Sequence, residues 1–265
     1  MMVQSARHSA FYDVGGRHMH ARVASALPLA DAPAVVLVHG VGISSRYMIP
    51  LLEQLAPFYH VYAPDLPGFG QSQKPDDVLK VPELADALAA WIESAKLHRP
   101  VLLGNSLGCQ IIVDLAARYP DYLAAAVLQG PTVDPQARTW PQQMVRWMID
   151  SSREPPSQFP IMVRDYWVCG LQRVIRTFQY SLQDRIEAKL PNVQVPTLVV
   201  RGSRDPIVPQ RWAEEATNLL PHGRLIVIPG AAHTINYAAP LELRRVVRPF
   251  IDEQFLEPQP KERAA

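Results

Sequence analysis

One serine of the chain lies in a glycine-bounded motif whose spacing suits nucleophilic chemistry. Residues 104–108 read Gly-Asn-Ser-Leu-Gly and directly follow the apolar run 100–103. A G-x-S-x-G pattern is typical of a very sharp turn from a strand into a helix, because a Cβ two residues before or after the serine would clash with neighbouring backbone. Such a turn lifts the hydroxyl to a helix N-terminus, where developing negative charge is stabilised. The pattern predicts a nucleophile at Ser106, and a glycine-rich turn without chemistry is the alternative.

A nucleophilic serine needs a general base and an acid that orients the base. Of the eight histidines, His233 is the best placed, because it follows a late apolar run and small residues that let its loop approach the serine. Asp205 follows the apolar run 197–200, in a turn from which its carboxylate can reach a neighbouring loop. Asp65 lies in a glycine-rich turn and is interpreted as structural. We therefore predict His233 as the base and Asp205 as its orienting acid.

Two backbone groups are candidates for stabilising an oxyanion. Residues 39–42 read His-Gly-Val-Gly after the first buried apolar run, and such a turn can point the N–H of Val41 at the oxyanion position. The N–H of Leu107, next to the serine at the start of the helix, would be the second donor. His39 itself is interpreted as a residue that orients the turn.

The elements that must position these residues alternate along the chain. Residues 34–38 form a continuous apolar run, which predicts a strand buried on both faces and hence a mostly parallel sheet. A hairpin is predicted around residues 15–16, and Pro249 is expected to kink the last helix or end it early. Further strands are predicted at 60–64, 101–103, 123–128, 197–200 and 225–228, and helices at 82–95, 107–118, around 212–220 and from about 241.

The alternation is interrupted from residue 132 to about 190, where no strand-like run occurs. This aromatic-rich stretch is typical of a helical cap over the carboxyl edge of a parallel sheet, where ligands bind. A helical subdomain needed only for stability is the alternative. We predict a core made of residues 1–131 and 191–265, with a cap at 132–190 inserted in it. The candidate substrate-binding residues are Tyr47, Trp140, Trp147, Tyr166 and Trp167.

The composition argues against several classes of partner. With 26 basic and 25 acidic residues the net charge is +1, which predicts no nucleic acid and no anionic membrane as partner. Cys109 and Cys169 are far apart in sequence and form no zinc motif, so we expect a reduced pair. No secretory signal and no apolar run long enough to span a membrane is found. These features predict a cytoplasmic protein that acts on a small molecule, with its oligomeric state left open.

The chain order Ser106, Asp205, His233 is the order of α/β-hydrolase triads and differs from the chymotrypsin and subtilisin orders. The chain resembles the α/β-hydrolase superfamily over nearly its whole length. Five motifs carry the resemblance, at residues 38–42, 65–70, 104–108, 202–205 and 230–233. The resemblance implies the α/β-hydrolase fold, with a mostly parallel sheet, helices on both faces and a small helical cap. It also implies that Ser106 attacks a carbonyl, that His233 takes and returns the proton, that Asp205 orients the imidazole, and that no metal or organic cofactor takes part.

The substrate is less well determined. A serine at the elbow argues against haloalkane dehalogenases and epoxide hydrolases, whose elbow carries aspartate. Asn105 before the serine is similar to the meta-cleavage-product hydrolases, which cleave C–C bonds, but Thr234 follows His233 where those enzymes tend to carry tryptophan. They also tend to carry a cap arginine that meets the substrate acid. The arginines that could play this role, if they are not simply exposed, are Arg164, Arg173 and Arg176.

Three functions therefore stay open. The first is hydrolysis of a small or medium, largely apolar carboxylic ester through an acyl-enzyme. The second is C–C bond hydrolysis of meta-cleavage-type vinylogous diketones. The third is a ligand receptor or binder on the same fold that turns over slowly. Perhydrolase and acyl-transfer activities use the same machinery.

Overall fold

Continuous apolar runs become the inner strands of one eight-stranded sheet. The computed structural model describes residues 6–25 and 33–256. Each strand predicted from the apolar runs is confirmed, as is the hairpin around residues 15–16. The strands are β1 (Ala6–Val14), β2 (Arg17–Ser25), β3 (Ala34–Val38), β4 (His60–Pro64), β5 (Val101–Asn105), β6 (Ala125–Gln129), β7 (Thr197–Gly202) and β8 (Gly223–Ile228).

The strand order places the predicted chemical loops next to one another. The order is β1-β2-β4-β3-β5-β6-β7-β8, with β1 and β2 antiparallel to their neighbours and the remaining pairs parallel. The carboxyl ends of β3, β5, β6, β7 and β8 therefore meet at one edge. Register aligns Val38 with Gly104 and Gly202 with Ile228, so the loops that follow these strands begin at the same level.

Helices cover both faces of the sheet, as the fold class requires. The helices are α1 (Ile49–Leu55), α2 (Val81–Ser94), α3 (Leu107–Arg118), α4 (Trp140–Ser151), α5 (Phe159–Cys169), α6 (Leu171–Gln183), α7 (Ile186–Lys189), α8 (Gln210–Leu219), α9 (Ile235–Ala238) and α10 (Pro240–Leu256). Short 3₁₀ turns lie at Ser45–Met48, Pro120–Tyr122, Pro135–Ala137, Pro156–Gln158 and Leu190–Asn192.

The hydrophobic core lies in two layers, one on each face of the sheet. On β5, Leu102 packs into the layer formed with α2, α3 and α8, whereas Leu103 packs into the layer formed with α1 and α10. This alternation follows from the two-residue period of a strand. Full burial of each such side chain contributes about 1.5–3 kcal/mol. The elbow that follows β5 is therefore attached to a strand held from both sides.

The last helix does not end at Pro249, contrary to one of the two outcomes expected from the sequence. Helix α10 continues to Leu256 with Pro249 inside it. Pro249 and Arg245 are both exposed, and the proline has no N–H to donate to the Arg245 carbonyl oxygen one turn earlier. Val247 and Ile251 are buried on either side of the proline and hold both halves of the helix against the core.

The stretch between β6 and β7 contains helices α4 to α7 and no strand, as the sequence pattern predicts. The division of the chain at residues 132 and 190 stays a prediction. Cys109 and Cys169 are both buried and free of disulfide bonds. Within residues 6–25 and 33–256, no helix combines the length and the apolar character needed to cross a bilayer.

Candidate active site

Ser106 occupies the sharp turn between β5 and α3. Its backbone has φ 57° and ψ −117°, a region that residues with a side chain rarely adopt and that costs about 1–3 kcal/mol. The neighbouring glycines make this turn possible. A Cβ on Gly104 would lie 2.5 Å from the carbonyl carbon of Gly108, and a Cβ on Gly108 would lie 2.3 Å from the carbonyl oxygen of Val38. The G-x-S-x-G spacing is thus a consequence of backbone contacts in this fold.

Replacing Gly108 by alanine is expected to destabilise the protein by about 1–3 kcal/mol or more, because the atoms that obstruct the new Cβ are backbone atoms. Besides the contact with Val38, the Cβ would lie 3.0 Å from the carbonyl oxygen of His39. Urea unfolding measures this loss. Gly40→Ala is the comparison, since its Cβ would lie no closer than 3.4 Å to Asn105 O and Ser106 Cβ, the nearest atoms, and its φ is not in the left-handed region. Equal unfolding midpoints for the two variants would contradict the packing argument.

Asp205 and His233 meet at the carboxyl edge of the sheet. Asp205 Oδ2 lies 2.8 Å from His233 Nδ1, and both side chains are buried. The second carboxylate oxygen, Oδ1, accepts the backbone N–H groups of Ile207 (2.8 Å) and Val208 (3.0 Å). The carboxylate is therefore held at both oxygens, and only one of them is directed at the imidazole.

The outer nitrogen of His233 is directed away from Asp205. Nε2 is buried and has no hydrogen-bond partner among the described residues. His233 and Ser106 both line the same cavity. Gly130, after β6, leaves room for the ring, because a Cβ there would lie 2.8 Å from His233 Cε1. The end of β6 thus has no space for a side chain beside the imidazole.

The electrostatic surroundings favour the protonated imidazole. Burial opposes the charged form, but the charge and hydrogen bond of Asp205 outweigh it, and Asp150 and Glu154 add to them. Together these groups raise the pKa of His233 to about 9. A base that must be neutral to accept a proton will then gain activity as the pH rises.

Polar side chains of the core bind the backbone carbonyl oxygen of His233. Asn105 Nδ2 and Gln129 Nε2 donate to the His233 carbonyl oxygen at 3.3 and 2.8 Å. Tyr47 donates its hydroxyl to Asn105 Oδ1 at 2.5 Å. Tyr47 is fully buried and does not line the cavity, so it supports the elbow and the histidine loop from beneath. Asn105 also supports the histidine loop, through its bond to the His233 carbonyl oxygen.

The turn after β3 lies beside the elbow. Val41 and Gly40 line the cavity together with Ser106, and Leu107 begins helix α3 directly after the serine. His39 is fully buried, and its Nε2 accepts the N–H of Leu66 at 3.1 Å. The proton must then be on Nδ1, which donates to the Gly40 carbonyl oxygen at 2.9 Å. Burial lowers the pKa of His39, so this neutral ring fixes the turn, as the sequence interpretation holds.

Asp65 has a structural environment away from the cavity. Its carboxylate bonds to His20 Nδ1 (2.8 Å), to Ser45 N (2.6 Å) and to Gln71 N (2.9 Å). These contacts hold the glycine-rich turn after β4 against β2. The described residues contain no group of three or more His, Cys, Asp or Glu side chains arranged to hold a metal ion.

A cavity of about 560 Å³ lies over Ser106, within the size range of small-molecule sites. Trp140, Trp147 and Tyr166 line it. Trp167 does not and is 87% exposed, because neighbouring residues of a helix point about 100° apart and Tyr166 takes the inward position. Other apolar lining residues are Val133, Met144, Met162, Val174, Ile175 and Phe178.

Apart from His233, the ionisable side chains of the cavity wall that carry charge near neutral pH are acidic. Asp150 and Glu154 line it near His233, and no lysine or arginine of the described residues does. Burial, with the charges of Glu154 and Asp205, raises the pKa of Asp150 to about 7 although the charge of His233 opposes this. Neither acid is predicted from the sequence. The sequence shows only that Asp150 stands near the end of a helical segment. Its burial, which marks it as unusual, becomes known only from the orientation of that helix in the structure.

The cap arginines considered for an acidic substrate lie elsewhere. Arg173 donates to the carbonyl oxygens of Pro75 (2.7 Å) and Asp77 (3.2 Å), and Arg176 donates to Gln179 (3.4 Å). Arg164 is exposed. None of the three lines the cavity.

Comparison with known proteins gives relatives of similar length. The chain is 26% identical over 249 residues to the proposed carbamate hydrolase RutD of Pseudomonas syringae pv. syringae (strain B728a), covering 85% of this chain and 96% of that protein. It is 27% identical over 238 residues to the pimeloyl-[acyl-carrier protein] methyl ester esterase of Xanthomonas axonopodis pv. citri (strain 306), covering 77% and 89% of the two chains.

A solved structure of a serine hydrolase involved in carbazole degradation, the CarC enzyme, shares the fold. It superposes with a TM-score of 0.78 at 21% identity, covering 94% of this chain and all of that one. The model of the alpha/beta hydrolase family matches residues 35–246, which span β3 to α10 and include Ser106, Asp205 and His233. The chain therefore belongs to the alpha/beta hydrolase family.

Proposed function

We propose that this protein is a serine hydrolase that cleaves small or medium, uncharged and largely apolar carboxylic esters. The observation that carries the proposal is the cavity that contains Ser106 and His233. Its wall is mainly apolar, and it offers no lysine or arginine to a substrate acid.

The residues around Ser106 suit acyl transfer in two steps. Ser106 Oγ attacks the ester carbonyl while His233 Nε2 takes its proton, and Asp205 keeps the other imidazole proton on Nδ1. The N–H groups of Val41 and Leu107, with the N-terminus of α3, stabilise the tetrahedral oxyanion. His233 returns the proton to the leaving alcohol, and water then releases the acid from the acyl-enzyme by the same route.

The charges of the cavity favour an ester over an acid-bearing substrate. In the reactive form, in which His233 is neutral and both acids are ionised, a carboxylate placed about 5 Å from Asp150 or Glu154 meets a repulsion of about 3 kcal/mol at an effective dielectric constant of about 20. The vinylogous diketones of meta-cleavage pathways carry such an acid and would need a cation in the wall. The similarity to a methyl ester esterase supports an ester as the substrate. The similarity to a carbamate hydrolase is the reason to assay a carbamate as well.

The test compares two esters that differ in one charge, p-nitrophenyl butyrate and p-nitrophenyl hydrogen succinate. At a pH at which His233 is neutral, we expect kcat/KM to be roughly 10- to 100-fold higher for the uncharged ester, because the carboxylate of the other ester is repelled by Asp150 and Glu154. The double variant Asp150→Asn, Glu154→Gln should narrow this ratio. Equal turnover of both esters by the wild type would contradict the proposed selectivity.

The same panel separates the other functions. Efficient cleavage of a 2-hydroxy-6-oxo-dienoate with poor ester turnover would replace the proposal by C–C bond hydrolysis. Thermal stabilisation by an ester or diketone with negligible turnover would replace it by a binding function. A phenyl carbamate in the panel shows whether the group transferred to Ser106 can be a carbamoyl group as well as an acyl group.

A further inference from the structure

The segment at the end of α4 is bonded to the loop that carries His233. Asp150 Oδ1 accepts the backbone N–H of His233 at 3.1 Å, and Glu154 Oε1 accepts the N–H of Thr234 at 2.7 Å. Asp150 and Glu154 lie one helical turn apart, since the Glu154 N–H donates to the Asp150 carbonyl oxygen at 3.1 Å. Two consecutive N–H groups of the histidine loop are thus bound by two carboxylates from a segment about 80 residues earlier in the chain.

Further contacts extend this attachment. Thr234 Oγ1 bonds to Gln158 Oε1 at 2.8 Å, and Arg153 Nη1 donates to the carbonyl oxygen of Arg204 at 2.5 Å. Arg204 directly precedes Asp205. The segment 150–158 therefore contacts both loops that carry the pair Asp205 and His233.

Asp150 has features that packing alone does not require. It is only 4% exposed, yet it lines the reaction cavity beside His233. Burying an ionisable group is costly unless it is compensated, and here the compensation is an N–H group of the histidine loop and the imidazole itself. The charged groups that face His233 are Asp205 from the loop after β7, and Asp150 and Glu154 from the end of α4.

We propose that Asp150, supported by Glu154, is a positioning residue that sets both the orientation and the proton affinity of His233. This rests on the proposed ester hydrolysis, in which His233 is the base. The bond to the His233 N–H fixes the loop that holds the ring in the cavity it shares with Ser106. The negative charge stabilises the imidazolium that forms when Ser106 attacks.

Two variants of Asp150 separate the effect on orientation from the effect on the pKa of His233. Asp150→Asn keeps an oxygen that accepts the N–H of His233 but removes the charge, so the pKa of His233 should fall. Because the base must be neutral, the rising limb of kcat/KM against pH should move to lower pH by about one unit. Asp150→Ala removes the bond as well, and kcat should then fall up to about 100-fold, as expected for a misplaced base.

The assay uses p-nitrophenyl butyrate, with butyrate measured by chromatography so that the ionisation of p-nitrophenol does not enter the profile. Glu154→Gln, which removes the charge one helical turn further on, should also move the rising limb of kcat/KM to lower pH, but by less than Asp150→Asn does. Asp121→Asn is the matched control, because Asp121 is exposed and does not line the cavity, and its profile should match the wild type. A uniform fall of activity at every pH in Asp150→Asn, with no shift of the limb, would show a purely structural role and overturn the proposal.

A second measurement does not depend on turnover. NMR titration of the imidazole nitrogens, assigned by their loss in His233→Gln, should give a lower pKa in Asp150→Asn than in the wild type. An unchanged His233 pKa overturns this inference even if esters are cleaved. A wild type that cleaves no ester, but whose His233 pKa falls in Asp150→Asn, overturns the proposed function and supports the coupling between Asp150 and His233.

Discussion

Replacing Ser106 by alanine is expected to lower kcat for p-nitrophenyl butyrate by roughly 10⁴- to 10⁶-fold, the range found when the nucleophile of a triad is removed. In the proposed mechanism, the substitution removes the attacking oxygen and leaves the proposed oxyanion donors and the cavity in place. Residual turnover should then come from water held in the same site. The fold should be unaffected, because the turn is held by backbone contacts, including the bond from Cys109 N to the Ser106 carbonyl oxygen at 2.9 Å.

Steady-state kinetics and covalent labelling together check this result. A fluorophosphonate should label the wild type on the peptide that contains Ser106 and should leave Ser106→Ala unlabelled. Ser94→Ala is the control, since Ser94 ends helix α2, donates to the carbonyl oxygen of Asp13 and does not line the cavity. If Ser106→Ala kept a tenth or more of the wild-type kcat, the covalent mechanism would have to be abandoned.

The second large effect is expected for Asp205→Asn, with a fall in kcat of about 10⁴-fold. The reason lies in the two oxygens of the carboxylate. Oδ1 accepts the N–H groups of Ile207 and Val208, so an asparagine must place its amide oxygen there. Its NH₂ group then faces His233 Nδ1 and donates to it. The imidazole proton must move to Nε2, and the nitrogen that should take the proton of Ser106 can no longer do so.

The pH profile of Asp205→Asn separates the effect of the wrong tautomer from the effect of the lost charge. The variant also loses the carboxylate charge, so the pKa of His233 should fall and the rising limb of the pH profile should move to lower pH. The remaining activity should nevertheless stay low on the plateau, because a neutral ring in the wrong tautomer is no better a base at higher pH. Imidazole nitrogen shifts measured by NMR should report a proton on Nε2. A variant that regains wild-type kcat at high pH would refute the tautomer explanation, and Asp121→Asn again serves as the control for loss of one acid.

Much of the fold can be predicted from the sequence, because its signals are local. Strands buried on both faces must be continuously apolar, as in residues 34–38 and 101–103, and this does not depend on their neighbours. The elbow at residues 104–108 is equally local, since the positive φ of Ser106 and the contacts of its glycines constrain the spacing. The predicted positions of Asp205 and His233 after late strands also follow from the common direction of parallel strands.

The sequence by itself thus determined the succession of strands and helices along the chain, the turn at Ser106 and the loops that contain Asp205 and His233. Only the tertiary structure decided which side chains surround them. Tyr166 rather than Trp167 faces the cavity, Tyr47 is buried beneath the elbow, and Asp150 and Glu154 meet the N–H groups of His233 and Thr234. The reason is physical: backbone sterics and residue periodicity act within a few positions, whereas the rotation and docking of a cap helix depend on contacts between segments about 80 residues apart.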